Sequence, residues 1–378
     1  MTQRLRIGYV PLTDAALLHV VKAQNLTGKY GLGIELIAES SWANIRDKLV
    51  AGHFDAAHML APAAIAVSLG AGQIEAPLIA PVALGLNGNA FTVSNALFEA
   101  LLREVQGDMS DPRVTARALA RIMARRREKA EPQLTFGHVF PFSSHHYQLR
   151  LWLRAGHIDP DEDVRLVVVP PPFMAETLRK GQLDGFCVGA PWNSVAVAAG
   201  AGIILHQGTD IVRDCPEKVL AFRTEWARTH KEEVGALVEA IGGASRWASS
   251  SSNRNALVTL LTATAGQDVP AATIERILGD PASPSASPLV ATGLRLDEEA
   301  IKASPIQALW LYAQMVAAGQ ITYSDAFAAA AAAVYEPTPG SSIPPNHAAT
   351  PAVFDAPVFS ANDIPSYLAS LNPSGTND

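Results

Sequence analysis

The chain of 378 residues is long enough for about two domains, and with 48% hydrophobic and 17% charged residues it has a globular composition. The formal net charge of −7 argues against a nucleic-acid-binding surface, and no apolar run reaches the roughly 18 residues of a membrane helix. Two cysteines, Cys187 and Cys215, cannot form a disulfide framework, so we expect free buried thiols; whether they have a redox role is open at this point.

Strands and helices are predicted to alternate along the first part of the chain, which indicates a mostly parallel, wound α/β sheet. The predicted strands occupy residues 6–12, 34–40, 55–60 and 79–86. The predicted helices occupy residues 14–27, 42–51 and 62–72. The segment AFTVSNALFEALL at 90–102 then leads into a second lobe.

The second lobe is predicted to begin with a polar stretch at 105–133 that contains a basic helix at 113–129. Its predicted strands occupy residues 134–140, 164–170, 184–189 and 203–206. Its predicted helices occupy residues 144–156, 173–180 and 192–200. We therefore predict lobe 1 over 1–94 and 209–335, lobe 2 over 95–208, and an extended C-terminal tail over 336–378.

An internal repeat supports the two-lobed division. Residues 49–62 (LVAGHFDAAHMLAP) and 178–191 (LRKGQLDGFCVGAP) align without a gap at an offset of 129 residues. Each copy predicts the end of a helix, a turn, a buried strand and an Ala-Pro start to the next helix. Two such units predict two similar lobes around a cleft, and a cleft is a place to hold a ligand.

Few residues carry a signal for catalysis or metal binding. Asp55 and Asp184 occupy equivalent turn positions, where a carboxylate usually accepts hydrogen bonds from backbone amides. His145 and His146 are adjacent and point in different directions on a helix, which argues against a metal site. A nucleophilic role for Cys187 or Cys215 is less expected than a buried free thiol.

The candidate ligand-binding residues lie where strands end and helices begin, which is where wound α/β sheets bind ligands and where free N–H donors attract anions. The candidates are Trp42 in SSWANIRD, Asn89 in LGLNGNAFTVS, His145 in FPFSSHH, Gly189 in CVGAPWN and Lys218 in DCPEK. Amide donors, hydroxyls, an imidazole, an ammonium and an indole suit a small, weakly hydrated anion or a small polar solute. The alternatives are a core tryptophan, a structural histidine, capping serines at the helix starts and a surface lysine.

The chain resembles the nitrate-binding proteins of ABC transporters, the NrtA type, and still more the cytoplasmic nitrate/nitrite sensors of the NasS type. The resemblance runs from about residue 5 to 335. The stretches that carry it are GYVPLTDAA, ESSWANIRDKL, DAAHMLAP, LNGNAFTVSN, VFPFSSHHYQLRLWLRAGHI, VVVPPPFM, LDGFCVGAPWN and PEKVLAFRTEW.

This resemblance implies a type II periplasmic-binding-protein fold and a nitrate or nitrite site with no cofactor. Trp42 matches the wall tryptophan, His145 the histidine, Gly189 the backbone donor and Lys218 the charge-pairing lysine of that site. Asn89 stands where the transporter proteins usually have a glutamine, and its shorter amide leaves the preference between nitrate and nitrite open.

No apolar leader pattern is recognisable near the N-terminus, so we expect a cytoplasmic sensor and not a chain whose leader is missing. The resemblance then implies a NasT-type partner, an RNA-binding antiterminator of the ANTAR class, which is held without the anion and released with it. The sensor itself is expected to contact neither nucleic acid nor membrane. The basic helix at 113–129 is a candidate partner surface, although an ordinary solvated helix is the better prediction.

Two alternatives stay open. One is the substrate-binding component of a nitrate ABC transporter. The other is an enzyme that reuses this fold, as thiamine-pyrimidine synthases and porphobilinogen deaminases do. An enzyme needs a base or a nucleophile in the cleft, and only His145 and Cys187 qualify. We predict no enzymatic activity.

Overall fold

The computed structural model describes residues 3–72, 74–264, 269–279, 293–336 and 349–371. The strands within these ranges are β1 (Gln3–Tyr9), β2 (Leu32–Ala38), β3 (Ala56–Leu60), β4 (Leu78–Leu86), β5 (Asn89–Ser94), β6 (Thr135–His138), β7 (Arg165–Val168), β8 (Gly185–Gly189), β9 (Gly202–Gln207), β10 (Val212–Arg213), β11 (Pro216–Arg223) and β12 (Ala352–Val353). The eight predicted strands correspond in order and approximate position to β1–β4 and β6–β9.

The α-helices are α1 (Ala16–Ala23), α2 (Trp42–Val50), α3 (Ala61–Ser68), α4 (Asn95–Glu104), α5 (Pro112–Glu128), α6 (Ser144–Ala155), α7 (Met174–Arg179), α8 (Trp192–Ala198), α9 (Gly208–Ile211), α10 (Thr224–Thr229), α11 (Lys231–Ser249), α12 (Arg254–Thr264), α13 (Ala271–Ile277), α14 (Pro305–Ala317), α15 (Asp325–Ala333) and α16 (Ile364–Leu371). None of the helices in the described ranges combines the length and the hydropathy of a membrane-spanning segment.

Two five-stranded sheets form the frame of the molecule. The strand order is β2-β1-β3-β11-β4 in the first sheet and β7-β6-β8-β5-β9 in the second. In each sheet the fourth strand runs antiparallel to both of its neighbours, and the other pairings are parallel. The two repeat strands, β3 and β8, hold the same central position in their sheets, as the internal repeat predicts.

The antiparallel strand of each sheet comes from the other half of the chain. β5 follows β4 of the first sheet but pairs with β8 and β9, whereas β11 follows β9 and returns to pair with β3 and β4. The predicted boundary at residue 94 is therefore placed too late, because residues 89–94 belong to the second sheet. The chain crosses in the short turn at 87–88, where Asn87 and Gly88 both adopt a positive φ.

The C-terminal segment is not an extended tail where the structure describes it. β12 pairs with β10, and α16 packs on α14 with Ile364, Tyr367 and Leu371 buried. The phenol oxygen of Tyr367 accepts a hydrogen bond from the buried Trp310 indole at 3.1 Å. The apolar spacing of IPSYLASL thus specifies two turns of a docked helix within the segment that we predicted to be extended. Residues 337–348 and 372–378 of the predicted tail lie outside the described residues.

The basic helix predicted at 113–129 is α5, and its arginines have local carboxylate partners. Arg125 pairs with Glu104, and Arg127 pairs with Asp163 at 2.7 Å. Its buried face packs on α4 and α6. These contacts fit a solvated helix of the lobe surface, and the choice of α5 as a partner surface stays a prediction.

Candidate ligand-binding site

The five predicted ligand-binding residues come from both halves of the fold and are all buried. Trp42 is the first residue of α2, Asn89 the first of β5 and Gly189 the last of β8. His145 lies in the first turn of α6, and Lys218 lies in β11. Lys218 is therefore not a surface lysine, whereas Trp42 packs with the hydrophobic core, as its alternative predicted.

Lys218 is the buried cation of the site, with only 1% of its side chain exposed. Its Nζ lies 2.9 Å from Asp14 Oδ2 and 3.3 Å from Glu217 Oε2. The same Nζ stands 5.4 Å from the centre of the Trp42 ring, within range of a cation–π contact. Burial alone would lower the pKa of Lys218, but the charges of Asp14 and Glu217 raise it above its ordinary value, so the ammonium is retained.

Asp14 ties Lys218 to a second histidine. It lies in the one-turn 3₁₀ helix Thr13–Ala15 after β1, and its Oδ1 is 3.1 Å from His58 Nε2. The His58 ring in turn packs 5.3 Å from the Trp42 ring, centre to centre. Burial would raise the pKa of Asp14, but Lys218 and His58 lower it below its ordinary range, so this carboxyl is ionised. Burial also lowers the pKa of His58 despite the neighbouring Asp14, which keeps its imidazole neutral.

Asn89 and Glu217 form the second half of the cluster. Asn89 Nδ2 donates to Glu217 Oε1 at 2.6 Å, and the Ser144 hydroxyl donates to Glu217 Oε2. Asn89 is also the cross-strand neighbour of Gly189 in the pairing of β5 with β8. A methyl group placed on Gly189 would lie 3.6 Å from both Asn89 Oδ1 and Asp14 Oδ2, so this glycine faces the centre of the cluster.

Several polar atoms of the cluster are buried and lack a hydrogen-bond partner among the described residues. They are the indole Nε1 of Trp42, both ring nitrogens of His145, Nε2 of Gln148, the hydroxyl of Thr13 and Oδ1 of Asn89. Burial, together with the charge of Lys218, lowers the pKa of His145 well below its ordinary value, so its ring carries one donor and one acceptor. Because unpaired buried polar groups are costly, this concentration indicates that a small polar ligand completes the site.

The buried cluster is distinct from a large surface cavity of the described part of the chain. A cavity of about 690 Å³ is lined by residues such as Asn25, Lys29, Glu239 and Arg246 and shares none of its lining with the buried cluster. An open surface cavity exposes its polar groups to water, whereas the cluster withholds its polar groups from water. The orphaned buried atoms therefore identify the cluster as the better candidate site.

Sequence reasoning missed Asp14, His58, Glu217 and Gln148. Glu217 adjoins Lys218, and neighbouring residues of a regular strand point to opposite faces. The β11–β4 pairing shifts register on both sides of Lys218, and such irregularities redirect side chains. Both side chains are consequently buried within 3.3 Å of each other. The signal in the sequence was the PEK run itself, two opposite charges at the start of an otherwise apolar strand.

The other polar positions have structural roles. The carboxylates of Asp55 and Asp184 accept from the backbone N–H groups of Arg6 and Thr135, each at 2.7 Å, so both tie a turn to the neighbouring strand as predicted. Ser41 caps α2, and Ser143 caps α6. Of the predicted capping serines near His145, Ser144 is the one that reaches the cluster through Glu217.

The geometry does not form a nucleophile and base pair. Cys187 Sγ lies 3.7 Å from Gln148 Oε1, and burial raises the pKa of this thiol well above its ordinary value. His145 bonds neither to Cys187 nor to a carboxylate within the described ranges. Within those same ranges, no group of three His, Cys, Asp or Glu side chains is placed to hold a metal ion.

A protein-family model described as the NMT1-like family matches residues 1–262, well over half of the chain. The chain belongs to the NMT1-like family. The matched range contains the strands of both five-stranded sheets. It also contains all the site residues named above, which lie between Asp14 and Lys218.

Relatives of this NMT1-like chain are named for the transport of nitrate and of bicarbonate. The chain is 37% identical over 242 residues to the nitrate import ATP-binding protein NrtC of Synechocystis, covering 62% of this chain and 34% of that protein. It is 34% identical over 260 residues to the bicarbonate transport ATP-binding protein CmpC of Synechococcus elongatus, covering 68% and 37%. It is 32% identical over 258 residues to the nitrate/nitrite binding protein NrtA of Nostoc, covering 67% and 56%. The chain thus spans between a third and a little over half of the length of these relatives.

Solved structures confirm the predicted fold. The crystal structure of the periplasmic nitrate-binding protein NrtA from Synechocystis superposes with a TM-score of 0.83 at 23% identity, covering 98% of each chain. The alkanesulfonate-binding protein SsuA from Xanthomonas axonopodis superposes with a TM-score of 0.55 at 17% identity, covering 83% of this chain and 93% of that one. This NMT1-like chain therefore has the two-sheet α/β fold of periplasmic binding proteins.

Proposed function

We propose that this protein binds nitrate or nitrite in the buried cluster and serves as the substrate-binding component of an ABC import system. The observation that carries the proposal is the buried ammonium of Lys218, surrounded by donors that lack partners in the described structure. Trp42 Nε1, one ring nitrogen of His145 and Gln148 Nε2 are donors that water does not reach. A small oxyanion supplies the acceptors for them.

Nitrate and nitrite suit the cluster by charge and hydration. Both are small planar anions that give up their water more readily than sulfate or phosphate, which suits a site with an indole wall and a single cation. The relatives named for nitrate support this choice, and those named for bicarbonate make bicarbonate the competing ligand. The transport role has the support of these names, because NrtC and CmpC are components of import or transport systems by their own descriptions.

The five predicted site residues are all buried, so we expect the ligand to reach the cluster only when the two sheets change their arrangement. Binding then requires the two sheets to separate, and the anion favours the arrangement in which both contribute contacts. We expect nitrate to raise the protection of buried amides at the edges that face each other, which hydrogen exchange measures.

Isothermal titration calorimetry with nitrate, nitrite, bicarbonate and sulfate tests the proposal. We expect saturable binding of nitrate or nitrite at one site, weaker binding of bicarbonate and no binding of sulfate. Binding that favours bicarbonate would reassign the ligand, and the absence of heat with every anion would refute the proposal.

Cytoplasmic sensing is the second candidate, because the eight stretches quoted above resemble the NasS-type sensors. In that role an anion-bound arrangement releases the NasT-type antiterminator, which is a linkage between two binding equilibria. Co-purification of this protein with the antiterminator, with and without nitrate, separates the two roles. A complex that nitrate dissociates supports sensing, whereas the absence of any complex leaves transport as the role.

A further inference from the structure

We infer that Glu217 controls the orientation of the Asn89 amide and takes up one proton when nitrate binds. The inference rests on the proposed function and deepens it, since the site would admit the anion together with a proton. Glu217 is in this view a positioning residue that acts through Asn89.

The described structure holds the Asn89 amide in the orientation that opposes nitrate. Its Nδ2 donates to Glu217 Oε1 at 2.6 Å and faces Gln148 Oε1 at 3.3 Å. Its Oδ1 is buried without a partner and lies 3.6 Å from the position of a methyl group on Gly189. The amide therefore turns an acceptor towards the centre of the cluster, and nitrate, which has only acceptors, gains nothing from it.

Rotation of the amide by half a turn would present Nδ2 to the anion. Oδ1 would then face Glu217, and two oxygens without a hydrogen between them repel each other. A proton on Glu217 supplies that hydrogen, because a protonated carboxyl donates one O–H bond.

The charges of the cluster favour proton uptake at this position. Lys218 is one cation between two carboxylates, Asp14 and Glu217, so an added anion would leave a buried excess of two negative charges. Asp14 keeps its ionised form through both Lys218 and His58. Burial instead raises the pKa of Glu217 although Lys218 opposes the shift, which makes Glu217 the carboxylate that accepts a proton more readily.

The other titratable groups that face Glu217 are already protonated and neutral. They are the thiols of Cys187 and Cys215 and the phenol of Tyr335, and burial raises the pKa of each. His145 approaches the cluster from α6 as a neutral ring and is the competing proton acceptor. The Ser144 hydroxyl can continue to donate to Glu217 Oε2 after protonation, because the added proton lies on Oε1, which faces Asn89.

Calorimetry in buffers of different ionisation enthalpy counts the protons that accompany nitrate. At about pH 7.5 we expect uptake of about one proton per nitrate, and an affinity that falls about tenfold for each further pH unit. Glu217→Gln places an amide hydrogen where the proton would be, so nitrate binding should persist while proton uptake and the pH dependence disappear. His145→Gln is the matched control, which should weaken binding but keep the proton uptake.

The results of these experiments test the inference and the proposed function separately. Nitrate binding by the wild type without proton uptake would overturn the inference and leave the proposed function intact. Proton uptake that survives in Glu217→Gln would assign the proton to another group and also overturn it. If that variant does not fold, the proton count and the pH profile of the wild type decide the matter. The absence of nitrate binding at every pH would overturn the proposed function, and the inference with it.

Discussion

Gly189→Ala separates ligand binding from folding more cleanly than any charged substitution in the cluster. The new methyl would lie 3.6 Å from Asn89 Oδ1 and Asp14 Oδ2 and 3.8 Å from His145 Nε2, which are ordinary contact distances. Gly189 does not adopt a positive φ, so alanine fits its backbone. Burying one methyl and restricting the unfolded chain contribute in the same direction, and we expect the free energy of unfolding to stay level or rise by about 1 kcal/mol.

The same methyl occupies space that the anion needs. Loss of one hydrogen bond to a charged ligand costs about 1.5–3 kcal/mol, so nitrate should bind roughly 10- to 150-fold more weakly. Calorimetry gives the affinity, and urea unfolding gives the stability. Gly185→Ala, in the same strand, is the control: its methyl would stand 3.0 Å from the Thr92 carbonyl oxygen and should destabilise the fold. Wild-type nitrate affinity in Gly189→Ala would refute the placement of the ligand beside this glycine.

Three further predictions concern charge, donors and pH. Lys218→Met leaves Asp14 and Glu217 buried without their cation and should lower the free energy of unfolding by about 3–5 kcal/mol. Adding Asp14→Asn should restore part of this stability. Equal stability of the single and double variants would contradict the ion pair. Trp42→Phe keeps an aromatic ring but removes the unpartnered indole donor, so nitrate should bind roughly tenfold more weakly at an unchanged melting temperature. An unchanged nitrate affinity would show that the indole does not contact the ligand. Burial lowers the pKa of His206 to about 4, so the unfolded state binds more protons as pH falls from about 6.5 towards 4. Because of this residue, the free energy of unfolding should fall by about 1.4 kcal/mol for each unit by which the pH decreases in that range. For His206→Gln, a plot of the free energy of unfolding against pH should therefore have a shallower slope.

The elements of the fold could be predicted because their signals are local. Apolar strand runs, Ser and Ala-Pro helix starts and turn glycines specify β3 and β8 within two short segments, and the repeat places them in equivalent sheets. The exchange of β5 and β11 between the two sheets could not be predicted from such local signals. Both strands are buried almost throughout, and a continuously buried strand does not indicate which sheet it joins, because that choice depends on hydrogen bonds to distant strands.

The candidate site shows the same limit. Trp42, His145 and Lys218 could be proposed from the sequence because they occupy helix starts and strand ends, which sequence patterns locate. Asp14 and Glu217 were missed because their place in the cluster depends on contacts with Lys218, and Lys218 contacts both carboxylates only in the folded chain. The orientation of the Asn89 amide is likewise a property of its partner Glu217 and has no signal in the sequence.

The internal repeat extends beyond the fourteen aligned residues and includes the exchanged strands β5 and β11. Asn89 of β5 and Lys218 of β11 are also 129 residues apart, and they pair with Gly189 and Leu60, which are equivalent positions of the repeat. The molecule is thus organised like two copies of one ancestral unit that swapped their last strand and were then joined into one chain. Neither copy can complete its own sheet. Two polypeptides cut between α4 and α5 would each lack the strand that the other holds, and would have to recombine before either sheet, or the pocket between them, could exist.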